Sequence, residues 1–223
     1  LANFALVNEI DLTIVGPELP LVKGITEKFE SLNLNCFGPN KKAAQLEGSK
    51  KFMKDFLSRH EIPTAIYESF SDLRTALEYS KQSSIPIVIK ADGLAAGKGV
   101  TVAQSHAEAE KAIRDCLEER AFGKAGNEVV IEEFLEGEEA SFIVLTDGKT
   151  ILPLASSQDH KTRDNQDKGP NTGGMGAYSP APVITPEIHK KIMHQVIIPT
   201  IEGLTKEGIN YCGFLYAGLM IDK

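Results

Sequence analysis

The sequence predicts an α/β protein, with a short parallel-sheet segment at its start and a longer mixed region of sheets and helices after it. Three observations carry that prediction. Residues 1 to about 40 alternate helix-like and strand-like stretches, the order of an open parallel sheet. Farther on, strand-like runs flank glycine turns at 93–99, 136–137 and 147–149. Apolar residues make up 42% of the 223 residues and charged residues 25%, which is the composition of a chain with a real core.

Residues 2–9 read as a helix, and DLTIVG (11–16) as a short buried strand ended by Gly16-Pro17. Leu21, Val22, Ile25, Phe29 and Leu32 then form one helical stripe, and NCFGPN (35–40) makes a second short strand and turn. From Ala43 to His60 the pattern is helical, with Phe52, Phe56 and Leu57 on one side. EIPTAIYESF (61–70) is extended, and SDLRTALEYSKQ (71–82) is a helix capped by Ser71 or Asp72. IPIVIKAD (85–92) is a strand, GLAAGKG (93–99) a loop and VTVAQ (100–104) a strand. Ser105 with Glu108 makes a capping box, and the helix it opens carries Ala109, Ala112, Ile113, Cys116 and Leu117 on one face. EVVIEEFL (128–135) and EASFIVLT (139–146) are strands, and Asp147-Gly148-Lys149 turns into TILPLAS (150–156). Residues 158–182 show no periodicity; a helix over 186–207 and a strand over 213–221 close the sequence. The chain opens at Leu1 directly in an apolar-periodic segment and stops in a strand-like run, which predicts a piece of a longer protein.

The formal charge of −7 argues against a general nucleic-acid binder. No apolar run approaches the roughly 18 residues of a membrane span, and no signal peptide opens the chain. Cys36, Cys116 and Cys212 are isolated and odd in number, which fits buried thiols in a reducing cytoplasm. His189 and His194 are five apart on a helix, a spacing that pairs no ligands, and are expected at the surface.

The stretch GLAAGKGV (93–100) carries the glycines and lysine of a phosphate-binding loop, but it is not a P-loop. Gly93 to Gly97 is one residue too short, Lys98 is followed by Gly99 rather than Ser or Thr, and a strand follows where a helix is required. Strand, glycine loop, strand is a flap that lies over phosphates; its other reading is a hairpin tip with no ligand. Lys90 ends an apolar strand, where an unpaired ammonium is costly, so it reaches either a carboxylate or a phosphate. Glu132, Glu133, Glu138 and Glu139 crowd around one apolar strand pair, either as a base-and-ribose hinge or as a solvated hairpin. The aperiodic 158–182 is either functional or a surface loop, because structureless stretches of that length are uncommon in compact domains.

A lysine on a strand, a glycine flap and an acidic hinge, in this order, resemble the ATP-grasp superfamily. Within it, GPELPLVKGI, QLEGSKKFMKDFL, IVIKADGLAAGKGV, EEFLEGEEASF, SQDHK and GPNTGGMGAYSPAP together resemble the glycinamide ribonucleotide synthetase family, over essentially all 223 residues. The resemblance implies an ATP-grasp fold preceded by the tail of a Rossmann-like parallel-sheet domain. It divides the chain into 1–48 (that tail and a linker), 49–131 (the small subdomain with the flap) and 132–223 (part of the large subdomain).

The same resemblance implies that Lys50 and Lys90 hold ATP phosphates and that Gly93, Ala95, Ala96, Gly97, Lys98 and Gly99 form the flap, with Lys90 and Lys98 serving catalysis. It places Glu132, Glu133, Phe134 and Leu135 at the adenine hinge, with the backbone of Glu133 and Leu135 on the base and Glu132 toward its amino group. Glu139, with Glu138 as the neighbouring candidate, takes the ribose. Asp159, His160 and Lys161, then Asn171, Thr172, Gly173, Gly174 and Met175, lie near the phosphoribosylamine and glycine site, and Glu18 faces the sugar phosphate. Two departures from the family pattern follow: its N-terminal glycine-rich loop is missing, and its magnesium ligands are expected beyond residue 223, so no metal ligand is assigned within the chain.

The implied activity joins glycine to 5-phosphoribosylamine through a glycyl phosphate, with ATP and Mg2+, in a monomeric cytoplasmic enzyme of purine biosynthesis that binds neither nucleic acid nor membrane. The alternatives are another ATP-grasp carboxylate–amine ligase, or a non-catalytic nucleotide-binding module if the chain ends at 223.

Overall fold

A computed structural model describes residues 1–95, 98–160, 162–165, 168–172 and 175–222. By contacts the chain divides into two compact units, residues 46–136 and residues 1–45 with 137–223.

The second of these units begins with α1 (Ala2–Val7), β1 (Thr13–Ile14), α2 (Glu18–Val22), α3 (Ile25–Glu30) and β2 (Cys36–Phe37). β1 and β2 pair in parallel, Thr13 opposite Cys36 and Ile14 opposite Phe37, as the alternation of elements predicts. The stripe at 21–32 is carried by two helices rather than one. Gly24 takes a left-handed φ of 85° between them, a turn that costs little without a Cβ.

Residues 46–136 form an antiparallel sheet covered by helices. α4 (Gln45–Gly48) stops at Ser49, which is extended and caps α5 (Lys50–Arg59) by accepting the N–H of Phe52, so the predicted helix 43–60 is broken there. β3 (Tyr67–Phe70), α6 (Leu73–Gln82), β4 (Ile87–Ala91), β5 (Val100–Ala103), α7 (His106–Leu117) and β6 (Val129–Glu133) follow. Asp72, not Ser71, caps α6 through the N–H of Thr75. At α7, Ser105 accepts the N–H of Glu108, but the Glu108 carboxylate returns to the N–H of Gln104, one residue earlier than a capping box requires.

The sheet runs β3-β6-β4-β5 with every neighbouring pair antiparallel. Ile87, Ile89 and Ala91 of β4 and Val129 and Ile131 of β6 pack on Ala109, Ala112, Ile113 and Cys116 of α7. Strand alternation then sends Lys90 and Glu132 to the opposite face. The buried carboxylate thus follows from the same periodicity that builds the core.

The unit that began with α1 resumes with β7 (Glu138–Thr146), β8 (Ile151–Pro153), β9 (Gln158–Asp159), β10 (Thr162–Asp164), β11 (Lys168–Asn171), β12 (Ala177–Tyr178), α8 (Pro186–Ile192), α9 (Ile198–Lys206) and β13 (Gly213–Ile221). β13 pairs antiparallel with β7 along its full length, and β8 takes the other side of β7. The expectation of no regular structure in 158–182 is corrected. β9 pairs with β12 and β10 with β11, in strands of two to four residues that are too short to leave a period. Between α8 and α9 the helix widens to a π turn at 193–197; Pro199 lacks the N–H that a regular helix would use there.

His194 is exposed, whereas His189 is half-buried with its ring centroid 5.1 Å from that of the buried Phe142, a correction to its expected surface position. Burial pushes the Cys116 thiol up to about 11. The Cys36 and Cys212 thiols are also raised, chiefly by burial, and all three cysteines are free. No helix is long and apolar enough to cross a membrane among the described residues.

Candidate active site

At the centre of unit 46–136 is one carboxylate held by two ammonium groups. Glu132 is 5% exposed. Its Oε2 accepts from Lys90 Nζ at 2.9 Å and pairs with Lys54 Nζ at 3.1 Å. Its Oε1 is buried without a hydrogen-bond partner among the described residues. Two neighbouring cations offset the cost of burying the charge, but the second oxygen still lacks a donor. Of the two readings open for Lys90, the structure shows the carboxylate.

The two lysines differ. Lys54 is 3% exposed and its ammonium reaches Thr64 Oγ1 at 2.7 Å and Ala65 O at 3.5 Å as well as Glu132, and it lies 5.6 Å from the Tyr67 ring centroid. Three acceptors match the three protons of an ammonium. The Lys90 side chain is 25% exposed, and Glu132 is its hydrogen-bonding partner among the described residues. Burial lowers the Lys54 pKa, and the adjoining Glu132 opposes that shift.

A second knot ties the start of α5 to the end of β4. Asp92 Oδ1 accepts from Ser49 Oγ at 2.9 Å and from the Lys51 N–H at 2.7 Å, and the Lys50 N–H donates to Asp92 O at 3.0 Å. Lys50 Nζ donates to Gly93 O at 3.2 Å. Burial lowers its pKa, partly offset by Glu47 and Asp92, while the Lys90 charge lowers it further. Lys50, Lys90 and the first flap glycine are therefore brought together.

The flap stem is tightly packed. A Cβ on Gly93 would come within 2.9 Å of the Ala125 backbone, and one on Gly99 within 2.7 Å of the Ala95 methyl and 3.1 Å of the Ala91 methyl. Gly99 O accepts the Ala91 N–H, Lys98 N–H donates to Ala95 O, and the Lys98 side chain is exposed. Ala96 and Gly97 lie outside the described residues.

At the hinge, Glu133 N–H donates to Ile66 O at 3.0 Å, and its Oε1 accepts the Ile66 N–H at 2.8 Å. Any main-chain pairing by Glu133 with a ligand is thus left to its carbonyl. Phe134 and Leu135 are 38% and 40% exposed, an apolar pair beside the buried charge.

The remaining predicted residues belong to the other unit. Glu138 is exposed and Glu139 half-buried at the start of β7, opposite Ile221 and Met220. Glu18 is exposed in the first turn of α2. Asp159 is half-buried opposite Ala177. His160 is exposed; its N–H donates to Gly176 O and its carbonyl accepts the Met175 N–H, both at 2.9 Å. Its ring centroid is 5.6 Å from that of Tyr178. Thr172 is half-buried, Met175 is 58% exposed, and the Asn171 backbone pairs with Thr162. Lys161, Gly173 and Gly174 lie outside the described residues.

Sequence reasoning missed Lys54 and Asp92. Lys54 had a signal: it lies one helical turn from Lys50, on the same face. Asp92 had none, because its partners are more than forty residues away. Cations around a single buried carboxylate, with one oxygen still wanting a donor, suit an anionic ligand that also carries an N–H group. Among the described residues no group of three or more His, Cys, Asp or Glu could hold a metal ion. The described residues therefore do not by themselves make up a magnesium site.

Residues 48–223 match the family model described as Phosphoribosylglycinamide synthetase, ATP-grasp (A) domain, and residues 1–47 match Phosphoribosylglycinamide synthetase, N domain. A phosphoribosylamine–glycine ligase of Vibrio vulnificus (strain YJ016) is 62% identical over 223 residues, covering 100% of this chain and 52% of the relative. The enzyme of that name from Escherichia coli (strain K12) is 60% identical over 223 residues, with the same 100% and 52% coverage. The chain thus spans about half the length of the curated relatives it matches. The crystal structure of a phosphoribosylamine–glycine ligase from Thermotoga maritima superposes with a TM-score of 0.84 at 34% identity, covering 100% of this chain and 55% of that one. A biotin carboxylase from Campylobacter jejuni, crystallised as a beta-gamma-ATP complex, reaches a TM-score of 0.73 at 17% identity over 97% of this chain and 47% of its own, a likeness of fold alone.

Proposed function

This chain belongs to the phosphoribosylglycinamide synthetase family, and we propose that it is the nucleotide-handling part of an ATP-dependent ligase that joins glycine to 5-phosphoribosylamine. The products are glycinamide ribonucleotide, ADP and phosphate. The observation that carries this reading is the Lys54–Glu132–Lys90 group, set beside Lys50 and the glycine flap on a chain of this family.

In the proposed reaction a glycine carboxylate oxygen attacks the γ-phosphorus of ATP and ADP leaves. The amine of 5-phosphoribosylamine then attacks the carbonyl carbon of glycyl phosphate, phosphate leaves, and the nitrogen gives up a proton. Phosphoryl transfer asks the protein mainly for position and charge neutralisation. Lysines supply that as point charges, which is the role given to Lys50, Lys90 and Lys98. Glu132 Oε1, buried and lacking a donor, is assigned to the adenine amino group, with the Glu133 carbonyl, Phe134 and Leu135 beside the base. Glu139 and Glu138 are assigned to the ribose. An acyl phosphate hydrolyses in water, so the flap 93–99 serves as a lid.

Glu18, Asp159, His160, Lys161 and 171–175 are assigned to the other substrates, and the division 1–48, 49–131 and 132–223 is part of the same reading. With the full-length protein, ADP release is expected to need both glycine and phosphoribosylamine. Turnover with aspartate or bicarbonate in place of glycine would overturn the substrate assignment.

A further inference from the structure

We propose that Lys54 is a positioning residue for nucleotide binding: its contact is enough to hold Glu132 paired and in place, which frees Lys90 to leave that carboxylate for a nucleotide phosphate. The inference rests on the nucleotide-binding reading above.

The geometry makes the two ammonium groups unequal. Lys54 and Glu132 have side chains 4% exposed, and Lys54 is fixed by Thr64 Oγ1 and Ala65 O as well as by Glu132 Oε2. Lys90 shares that same Oε2 but is 25% exposed and has no second acceptor among the described residues. One cation is anchored and the other is held by a single contact. If Lys90 left a carboxylate that had no other partner, a buried charge would be stranded. With Lys54 in place, the departure leaves an ion pair behind.

The groups facing Glu132 come from every side of it. Lys54 and Lys50 lie on α5, Lys90 on β4, and Tyr67 on β3 directly opposite Glu132, its hydroxyl donating to Asp55 of α5. Glu133 follows on β6, its carboxylate turned to the Ile66 N–H. Removing Lys54 leaves Lys90 as the one ammonium paired with Glu132. Binding a phosphate through Lys90 would then force the buried carboxylate to take up a proton from solution.

The test uses the full-length protein and a non-hydrolysable ATP analogue, with affinity and proton uptake measured calorimetrically in buffers of differing ionisation heat. In Lys54→Met, binding is expected to take up close to one proton. Affinity is then expected to fall as pH rises, by up to about tenfold per pH unit at full linkage. The sign follows from the proton count alone: a binding step that consumes a proton weakens as protons become scarce. The unaltered protein and Lys54→Arg are expected to take up none, and Lys54→Met combined with Glu132→Gln loses the uptake because the acceptor is gone.

Should Lys54→Met fail to fold, Lys54→Gln carries the same expectation. Wild-type-like affinity with no proton uptake in these variants overturns the proposal and leaves Lys54 as packing, even where the unaltered enzyme binds and turns over normally. If the unaltered protein binds no adenine nucleotide at all, the proposed function itself falls.

Discussion

The buried face of β4 and β6 and the small hairpins of 158–178 carry their polar side chains in opposite ways. On that face, Glu132 of β6 and Lys54 of α5 are almost fully buried and each is fixed by more than one partner. In the hairpins, His160, Met175 and Tyr178 are exposed, and the ordering contacts are largely main-chain hydrogen bonds between strands of two to four residues. The first region is organised before any ligand arrives, because apolar packing on the far side of the strands dictates where its charges point. The second presents groups to solvent and depends mainly on backbone pairing. Preorganised charge suits the neutralisation of a polyphosphate, while exposed groups suit recognition of a small polar substrate.

The sharpest way to break that contrast is to remove a charge on each side. Glu132→Ala strands two ammonium groups, one fully buried, and is expected to cost about 3–5 kcal/mol of stability, read by denaturant unfolding. His160→Ala is expected to change stability by no more than about 0.5 kcal/mol and to act on the apparent affinity for substrate instead. A large loss of stability in His160→Ala would show that the hairpins are as preorganised as the sheet. Lys90→Ala leaves Glu132 its Lys54 partner, so the fold should survive while turnover falls by about a hundredfold or more. Unchanged rate and ATP affinity in that variant would make the lysine structural.

Gly99→Ala drives a methyl against Ala95 and Ala91 and is expected to cost about 1–3 kcal/mol, which separates a packed stem from a freely hinged one. The smallest effect is in alkali. Burial, and then the Asp55 carboxylate, push the Tyr67 hydroxyl from 10.0 up to about 12. The unfolded chain therefore loses that proton first, and stability should decline between about pH 10 and 12. Tyr67→Phe should flatten that part of the pH–stability curve.

What the sequence made legible follows the same division. Alternation in IPIVIKAD and EVVIEEFL placed Lys90 and Glu132 on strands, and a glycine loop lying between strands excluded a P-loop from spacing and pattern alone. The pairing of β1 with β2 and the long β13 were equally plain, because each buries a repeating pattern. The hairpins of 158–178 were not, since strands so short leave no period and their order resides in backbone bonds that any side chain permits. The break at Gly24 was hidden for a related reason: the apolar stripe continues across it. Asp92 was invisible because a cap supplied from another strand has no local spacing to betray it.

That cap has a consequence for how the charges are spaced. Asp92 and its main chain clasp Ser49, Lys50 and Lys51, so two lysines forty residues apart in sequence share one frame of main-chain bonds. The gap between their backbones is set by covalent geometry and amide contacts, with only the last few rotatable bonds left to adjust. Drift in the intervening residues 52–89 can therefore alter how firmly the molecule holds together while leaving the gauge between those two cations unchanged.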